Sequence, residues 1–249
     1  MSLAPYYQDT HCTLYYEDSF DIIPLLGDID AVITDPPYMI GAKSVGTKNS
    51  KSGSWVDLMN ASFWYREWME LCWRQLLEGG YLLSFTNWRS LPMLMRACSL
   101  AEINVQSCAV WDKEWIGPAG ADQLRPIYEM IIFCGKGKCR IDDRSVSDIF
   151  RCKWMAGEYA EYHPAEKPLM LMCELVSLVT NAGDIVFDPF AGSATTLCAS
   201  KMLGRLAIGC EANEKYAEIA ARRLEHTIAD EIPSSMQMSK QSFLQMPLL

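Results

Sequence analysis

No stretch of this 249-residue sequence is long and apolar enough to cross a membrane, and no basic, apolar leader opens it. A transmembrane helix needs about 18 or more consecutive apolar residues, and a secretory signal has a charged start before its apolar core. We therefore expect a cytoplasmic protein without a membrane segment. Half of the residues are hydrophobic, which is enough for the core of one large α/β domain.

The ten cysteines include no Cys-x-x-Cys pair. That spacing is typical of structural zinc sites and of redox motifs, whereas disulfide frameworks are typical of small secreted chains. We expect ten reduced thiols and no bound metal.

Basic residues are also scarce, since 22 lysines and arginines stand against 31 aspartates and glutamates, a net charge of −9. Affinity for nucleic acids depends on lysine and arginine at phosphates, so this balance argues against a protein that binds any polyanion. The distribution of charge matters more than its sum. Two loop-like segments, 41–53 and 134–154, are locally basic, and they would form a basic rim if both lay on the same side of the fold.

The sequence does contain a strand that stops abruptly at a pair of prolines. The apolar run 31–33 is typical of a buried parallel strand, and the bend that follows contains Asp35, Pro36, Pro37 and Tyr38. Prolines prevent helix and strand from continuing, so we expect a rigid bend that presents a carboxylate, a proline carbonyl and an aromatic ring. Ligands bind just outside the carboxyl ends of strands in open α/β sheets. The bend suits a flat ring that carries an amine, although the same residues would also make a plain turn.

A second informative segment, rich in small residues, lies between a predicted strand over 185–187 and a predicted helix over 193–203. Small residues let the backbone approach a ligand closely, and the start of a helix offers free amide groups to an anion. The following strand, predicted over 205–210, ends at Glu211, where an acid suits the hydroxyl groups of a ribose. The loop and the helix start comprise Asp188, Pro189, Phe190, Ala191, Gly192, Ser193, Ala194, Thr195 and Thr196.

These segments, together with His163-Pro164-Ala165-Glu166-Lys167-Pro168, resemble the amino-methyltransferases that act on DNA. The resemblance covers about residues 14–224, and the catalytic segment precedes the cofactor segment, as in the beta class of that family. It implies a single Rossmann-like class I methyltransferase fold with circularly permuted motif order. The sheet would be mostly parallel with an antiparallel edge strand, and the strands predicted over 105–110 and 127–133 would form an antiparallel pair at that edge.

The resemblance also implies a reaction and its residues. The cofactor would be S-adenosylmethionine (AdoMet), and the methyl acceptor the exocyclic amine of a base flipped out of double-stranded DNA. Asp35 and the Pro36 carbonyl would accept the amine hydrogens, Tyr38 would stack on the base, and Pro37 would complete the catalytic segment. Glu129 would line the target pocket.

The cofactor would be held by a larger set of residues. Asp18 would accept from the adenine amine of AdoMet, although it could equally be a plain helix N-cap. Asp188 would pair with the ammonium group and Glu211 with the ribose. Ala194 stands where the family usually has glycine, which we expect to be a mild change at a helix start. The remaining cofactor residues would be Asp35, His163, Lys167, Pro189, Phe190, Gly192, Ser193 and Thr195.

DNA would be contacted by seven of the basic residues in the two loop-like segments, namely Lys43, Lys48, Lys51, Lys136, Lys138, Arg140 and Arg151. We expect a catalytic domain over 1–228, with a mobile loop at 39–54 and a short target-recognition insert at 135–162. A loosely ordered tail would cover 229–249. A homodimer is plausible by analogy with the family.

The identity of the target base is the least determined point. Aspartate at the first position of Asp-Pro-Pro-Tyr favours the N6 amine of adenine, and serine there is commoner for N4 of cytosine. The alternatives are an N4-cytosine enzyme, a methyltransferase for RNA or protein glutamine, or an inactive relic that only docks nucleic acid. An active DNA enzyme of this kind would fit a restriction–modification system.

Overall fold

The computed structural model describes residues 4–38, 55–115, 121–122, 124–154 and 166–231, with the backbone alone for 55–58. The strands, in chain order, are β1 Tyr7–Gln8, β2 Cys12–Tyr15, β3 Ile29–Thr34, β4 Leu76–Thr86, β5 Val105–Asp112, β6 Tyr128–Gly135, β7 Ile149–Arg151, β8 Ile185–Asp188 and β9 Leu206–Cys210. The helices are α1 Ser19–Ile22, α2 Trp55–Gln75, α3 Leu91–Leu100, α4 Leu169–Val179, α5 Thr195–Met202 and α6 Glu214–His226, and a 3-10 turn over Ile23–Leu25 follows α1.

The strands form one nine-stranded sheet in the order β1-β2-β9-β8-β3-β4-β6-β5-β7. β1 is antiparallel to β2, and β6 is antiparallel to both of its neighbours, β4 and β5. The other neighbouring strands pair in parallel, so all strands except β1 and β6 run in one direction. The prediction of a mostly parallel α/β sheet is confirmed.

Helices cover both faces of this sheet. Because side chains alternate along a strand, Val32 of β3 packs with α2 and α3 on one face and Ile33 packs with α4 on the other. α5 and α6 continue the second layer, where Leu197 and Leu224 pack with Leu14 of β2. Burial of β3 on both faces explains its uninterrupted apolar run.

The predicted antiparallel pair, β5 and β6, is present, but its expected position at the edge of the sheet is wrong. β7 pairs in parallel with the end of β5 and forms that edge instead. β7 has only three residues, which is too short for a periodic pattern to reveal.

Glycine often ends a helix, but the glycine pair 79–80 that follows α2 does not have that role. α2 ends at Gln75, and the glycines lie inside β4, where its register against β3 shifts. A Cβ atom added at Gly80 would lie 2.5 Å from the carbonyl oxygen of Asp30. Glycine is therefore required there by the close approach of two strands.

The first part of the second basic segment lies far from Asp35 along the strands. β6 runs antiparallel to β4, so Gly135 at its end pairs with Tyr81 near the start of the parallel strands. Lys136, Lys138 and Arg140 follow directly and therefore leave the sheet at the end opposite Asp35. These three residues therefore do not meet the condition for a basic rim on the Asp35 side, and their contact with DNA stays a prediction.

Lys136 has a structural partner at that opposite end. Its Nζ donates to the carbonyl oxygens of Trp73 at 2.7 Å and Leu76 at 2.6 Å, at the end of α2. A cation in this position satisfies carbonyl groups that the helix leaves unpaired. Arg151, in contrast, pairs in register with Asp112 at the Asp35 end of the sheet. Lys43, Lys48 and Lys51 lie outside the described residues.

All ten cysteines are free. Among the described residues no group of three His, Cys, Asp or Glu side chains could hold a metal ion. No helix of the described ranges combines the length and apolarity needed to span a membrane.

Candidate active site

Four predicted acids lie along one edge of the sheet. β2, β9, β8 and β3 are consecutive parallel neighbours, and their carboxyl ends therefore meet at the same edge. Asp18 follows β2, Glu211 follows β9, Asp188 ends β8 and Asp35 follows β3. Segments 18, 35 and 188–211, which are far apart in the sequence, are thereby brought together.

In the described part of the chain, one carboxylate oxygen of Asp35 is strongly paired and the other has no partner. Its Oδ2 accepts from the Lys167 Nζ, and its Oδ1 is buried without a hydrogen-bond donor among these residues. Burial raises the pKa of Asp35; Lys167 opposes the rise and Glu129 adds to it. The orphaned Oδ1 is a free acceptor inside the site, which is costly unless a ligand donates to it.

The bend after Asp35 is fixed by two tyrosines. The Tyr65 hydroxyl, from α2, donates to the carbonyl oxygen of Pro37 at 3.1 Å. The Tyr38 hydroxyl donates to Glu129 Oε2 at 3.0 Å. Burial, followed by the charges of Asp35 and Glu129, raises the pKa of Tyr38 well above its ordinary value, so this hydroxyl stays a donor.

Glu129 of β6 links Asp35 to a second lysine. Its Oε2 lies 3.3 Å from the Lys167 Nζ and its Oε1 2.6 Å from the Lys113 Nζ. Burial would raise the pKa of Glu129, but the two lysines together hold it below its ordinary value. Asp35, Lys167, Glu129 and Lys113 thus form a row of alternating charge, which we call the ion-pair row.

The loop after β8 is stabilised from inside by Asp188. Its Oδ1 accepts from the Thr34 hydroxyl at 2.6 Å and the Phe190 amide at 3.0 Å, and its Oδ2 accepts from the Thr196 hydroxyl at 2.7 Å. Burial raises the pKa of Asp188 to about 6. Both oxygens thus support the loop, and the pairing of Asp188 with an ammonium group stays a prediction.

Gly192 connects this loop to Glu211. Its amide donates to Glu211 Oε2 at 2.8 Å, and the Asn213 amide donates to Oε1 at 2.8 Å. Gly192 has a φ of 53°, and a Cβ atom added there would meet no atom of the described residues within 4 Å. The loop therefore presents backbone without a side chain to open space at the carboxyl ends of β2, β9, β8 and β3. We call these strand ends, with Asp18, Glu211, Asp188 and Asp35, the acid edge.

The hydroxyl groups after Gly192 face the protein. Arg223 of α6 donates to the Thr195 Oγ1 at 2.9 Å and to the Ser193 carbonyl oxygen at 3.2 Å. Glu166 holds Arg223 in turn, at 2.7 Å. Ser193 and Thr195 are buried, and their contact with a cofactor stays a prediction.

Ala194 differs from the sequence expectation. It is the N-cap of α5 with φ 62° and ψ 33°, and its side chain is fully buried. The position needs the left-handed conformation, which glycine adopts freely and alanine does not. The expected position inside the start of the helix is wrong, because the residue precedes α5. That the change from glycine to alanine is mild stays a prediction.

Among the remaining predicted cofactor residues, Asp18, Phe190 and Pro189 are described by the structure. Asp18 is exposed and caps α1 by accepting from the Phe20 amide at 3.0 Å, so its capping role is present and its cofactor role stays a prediction. The Phe190 ring packs against Trp64 at 5.4 Å, and Pro189 is buried. His163 lies outside the described residues.

Sequence reasoning missed Lys113, Arg223 and Tyr65 as parts of the site. Their roles arise from contacts between distant elements, and no local pattern distinguishes them. The Lys167 side chain was predicted to serve the cofactor, whereas its Nζ contacts Asp35 and Glu129.

This fold is that of the Rossmann-like methyltransferases. The M1.HpyAVI–SAM complex, a solved structure, matches with a TM-score of 0.69 and 26% identity, over 86% of this chain and 98% of that one. The PvuII DNA methyltransferase (cytosine-N4-specific) matches with a TM-score of 0.72 and 16% identity, over 96% of this chain and 95% of that one. The second likeness shows the fold alone.

A family model described as DNA methylase, N6_N4_Mtase, matches residues 29–222. The chain therefore belongs to this family of AdoMet-dependent DNA methyltransferases. It is 27% identical over 242 residues to the DNA adenine methyltransferase YhdJ of Escherichia coli (strain K12), which covers 82% of this chain and 80% of that one.

The acid edge fits AdoMet by the chemistry of its donors and acceptors. Asp18 and Glu211 offer carboxylates at the ends of neighbouring strands, and Gly192 leaves space for a ligand to approach the backbone. Carboxylates that accept from hydroxyl and amine groups, beside a loop that allows close approach, suit the adenosine part of AdoMet.

Proposed function

We propose that this DNA methyltransferase acts on the N6 amine of adenine in double-stranded DNA. The orphaned Asp35 Oδ1 is the observation that carries the proposal, because a buried acceptor without a donor matches an incoming amine. Aspartate at the head of the proline bend favours adenine, and the similarity to a relative named as an adenine methyltransferase supports the same choice.

The residues at the bend act by positioning. Asp35 and the Pro36 carbonyl accept the two hydrogens of the amine, which favours a pyramidal nitrogen with a directed lone pair. Tyr38 stacks on the ring and fixes its plane. Accurate placement and prearranged acceptors are large sources of rate enhancement, and this site needs no covalent enzyme intermediate.

When bound, AdoMet would supply the methyl group, carried on a sulfonium sulfur, to the amine nitrogen that Asp35 and the Pro36 carbonyl position. The nitrogen loses one proton in the process, and Asp35 is its proposed acceptor, which requires that Asp35 be ionised. Asp18, Glu211 and the Gly192 backbone are proposed to hold the adenosine part. The target base leaves the duplex to reach the bend, at a cost of a few kcal/mol.

Arg151 is the proposed phosphate contact among the described basic residues, since it lies at the Asp35 end of the sheet and is exposed. The homodimer, the domain limits 1–228 and the target-recognition insert remain proposals by analogy with the family.

The test is to express the protein in a host that lacks DNA methylation and to map modified bases in a plasmid by mass spectrometry and single-molecule sequencing. We expect N6-methyladenine at a recurring sequence and none with the Asp35→Ala variant. N4-methylcytosine instead of N6-methyladenine would refute the adenine assignment. Unchanged methylation by a correctly folded Asp35→Ala protein would refute the proposed chemistry.

A further inference from the structure

Lys167 is one of the most deeply buried lysines among the described residues, with a side chain 9% exposed. It lies just before α4, and its Nζ contacts Asp35 Oδ2 and Glu129 Oε2. The Nζ also lies 5.1 Å from the centre of the Phe85 ring. A buried cation is costly unless it is paired, so this one has a defined electrostatic environment with two carboxylates.

We propose that Lys167 is a positioning residue for methyl transfer, which acts through Asp35 and is tuned by Glu129. This inference rests on the proposed role of Asp35. A carboxylate has two equivalent oxygens, and a lysine fixed on Oδ2 leaves Oδ1 as the oxygen that meets the target amine. Lys167 thereby determines the orientation of Asp35 and favours its ionised form.

Glu129 limits the strength of this pairing. It shares Lys167 with Asp35, and Lys113 holds Glu129 from its other side. Asp35 therefore binds a proton more readily than it would if Lys167 paired with Asp35 alone. Burial works against the charge on Lys167, but the two carboxylates outweigh burial and raise the pKa of Lys167, so the lysine stays charged.

The pH dependence of the methylation rate should change when Lys167 or Glu129 is replaced, because both act on the titration of Asp35. The charged and titratable groups that act directly on Asp35 come from several elements and are Lys167, Glu129, Tyr38 and Asp188. Lys113 acts on Asp35 indirectly, through its ion pair with Glu129. Loss of the lysine and loss of the glutamate should shift the titration of Asp35 in opposite directions.

The experiment measures the single-turnover rate of methylation against pH, which separates chemistry from product release. Lys167→Met should lower the rate at pH 7 by about 10²-fold, as expected for a misplaced reacting group. The acid limb of the pH–rate profile, which is the fall in rate toward low pH as Asp35 is protonated, should move up by about one pH unit or more in this variant. Activity should therefore recover as the pH rises. Glu129→Gln should move the acid limb down. Lys167→Arg should restore part of the rate.

The chain offers a matched control in Lys201, which pairs with Asp9. The exposed fractions of the two side chains are 9% and 24%, against 9% and 28% for Lys167 and Asp35. Lys201→Met should reduce thermal stability without moving the acid limb. AdoMet affinity, measured by calorimetry, should change little in Lys167→Met.

Acid limbs that stay in place in both Lys167→Met and Glu129→Gln would overturn the inference, as would an equal shift in Lys201→Met. If Lys167→Met does not fold, the direction of the Glu129→Gln shift decides alone. Asp35→Asn distinguishes failure of this inference from failure of the proposed function. Full activity in Asp35→Asn would refute the proposed function. An inactive Asp35→Asn, together with unshifted acid limbs in Lys167→Met and Glu129→Gln, would refute only the role of Lys167.

Discussion

Ala194 has a backbone conformation that L-amino acids other than Asn and Asp rarely adopt. At φ 62° it carries a strain of about 1–2 kcal/mol, while its buried methyl group contributes about 0.8 kcal/mol. In Ala194→Gly these two effects nearly offset each other. We expect the variant to be between unchanged and about 1 kcal/mol more stable, as measured by denaturant unfolding.

Ala220 provides the matched comparison for this substitution. It is equally buried, belongs to the same hydrophobic cluster and lies inside α6. Ala220→Gly loses a methyl group and also helix propensity, so we expect a loss of about 2 kcal/mol. Equal losses in the two variants would mean that Ala194 is not strained.

At the scale of residues, the sequence located Asp35, Asp188 and Glu211 because each follows a recognisable apolar strand. It did not predict that Asp188 would accept three internal hydrogen bonds, since Thr34 and Thr196 are separated by 162 positions in the chain. The ion-pair row was hidden for the same reason, because it joins four segments that meet only in the folded protein.

At the scale of elements, the loop at Gly192 can be tested with a matched glycine. Gly192→Ala forces alanine to φ 53° and places a methyl group in open space at the acid edge. We expect AdoMet affinity to fall by about tenfold or more, since about 1.4 kcal/mol of lost contact has that effect, and stability to fall by about 1 kcal/mol. Calorimetric titration and denaturant unfolding give the two values.

Gly183 is the control for this loop. It has φ 88°, a Cβ atom there would also meet nothing within 4 Å, and it lies before β8 at the opposite end of the sheet. Gly183→Ala should lose comparable stability and keep its affinity for AdoMet. A weakened affinity in both variants would show that strain alone, rather than the cofactor loop, is responsible.

At the scale of elements, the sequence did not reveal features that depend on a very short strand or on a contact between distant segments. β7 is too short to show alternation, and it displaced β5 from the edge of the sheet. Glycine after a helix usually marks its end, whereas the close approach of Gly80 to the Asp30 carbonyl oxygen explains the glycine pair after α2. The helix predicted over 193–203 and the strand predicted over 205–210 are present as α5 and β9.

At the scale of the whole molecule, two exposed arginines lie at opposite ends of the sheet. Arg151 is at the Asp35 end and Arg140 at the other, and both have an aspartate nearby. Arg151→Ala should weaken DNA binding and lower the slope of log affinity against log salt by about one, measured by fluorescence anisotropy. Arg140→Ala should leave both unchanged, and the reverse result would place DNA at the opposite end.

The row of acids at the carboxyl edge has a consequence for how DNA can be engaged. Asp18, Glu211, Asp188 and Asp35 end four adjacent strands, and a sugar–phosphate chain brought onto them would be repelled. An uncharged nucleobase meets no such barrier. We therefore expect these carboxylates to keep the phosphates of DNA away from the edge while the uncharged ring approaches the bend.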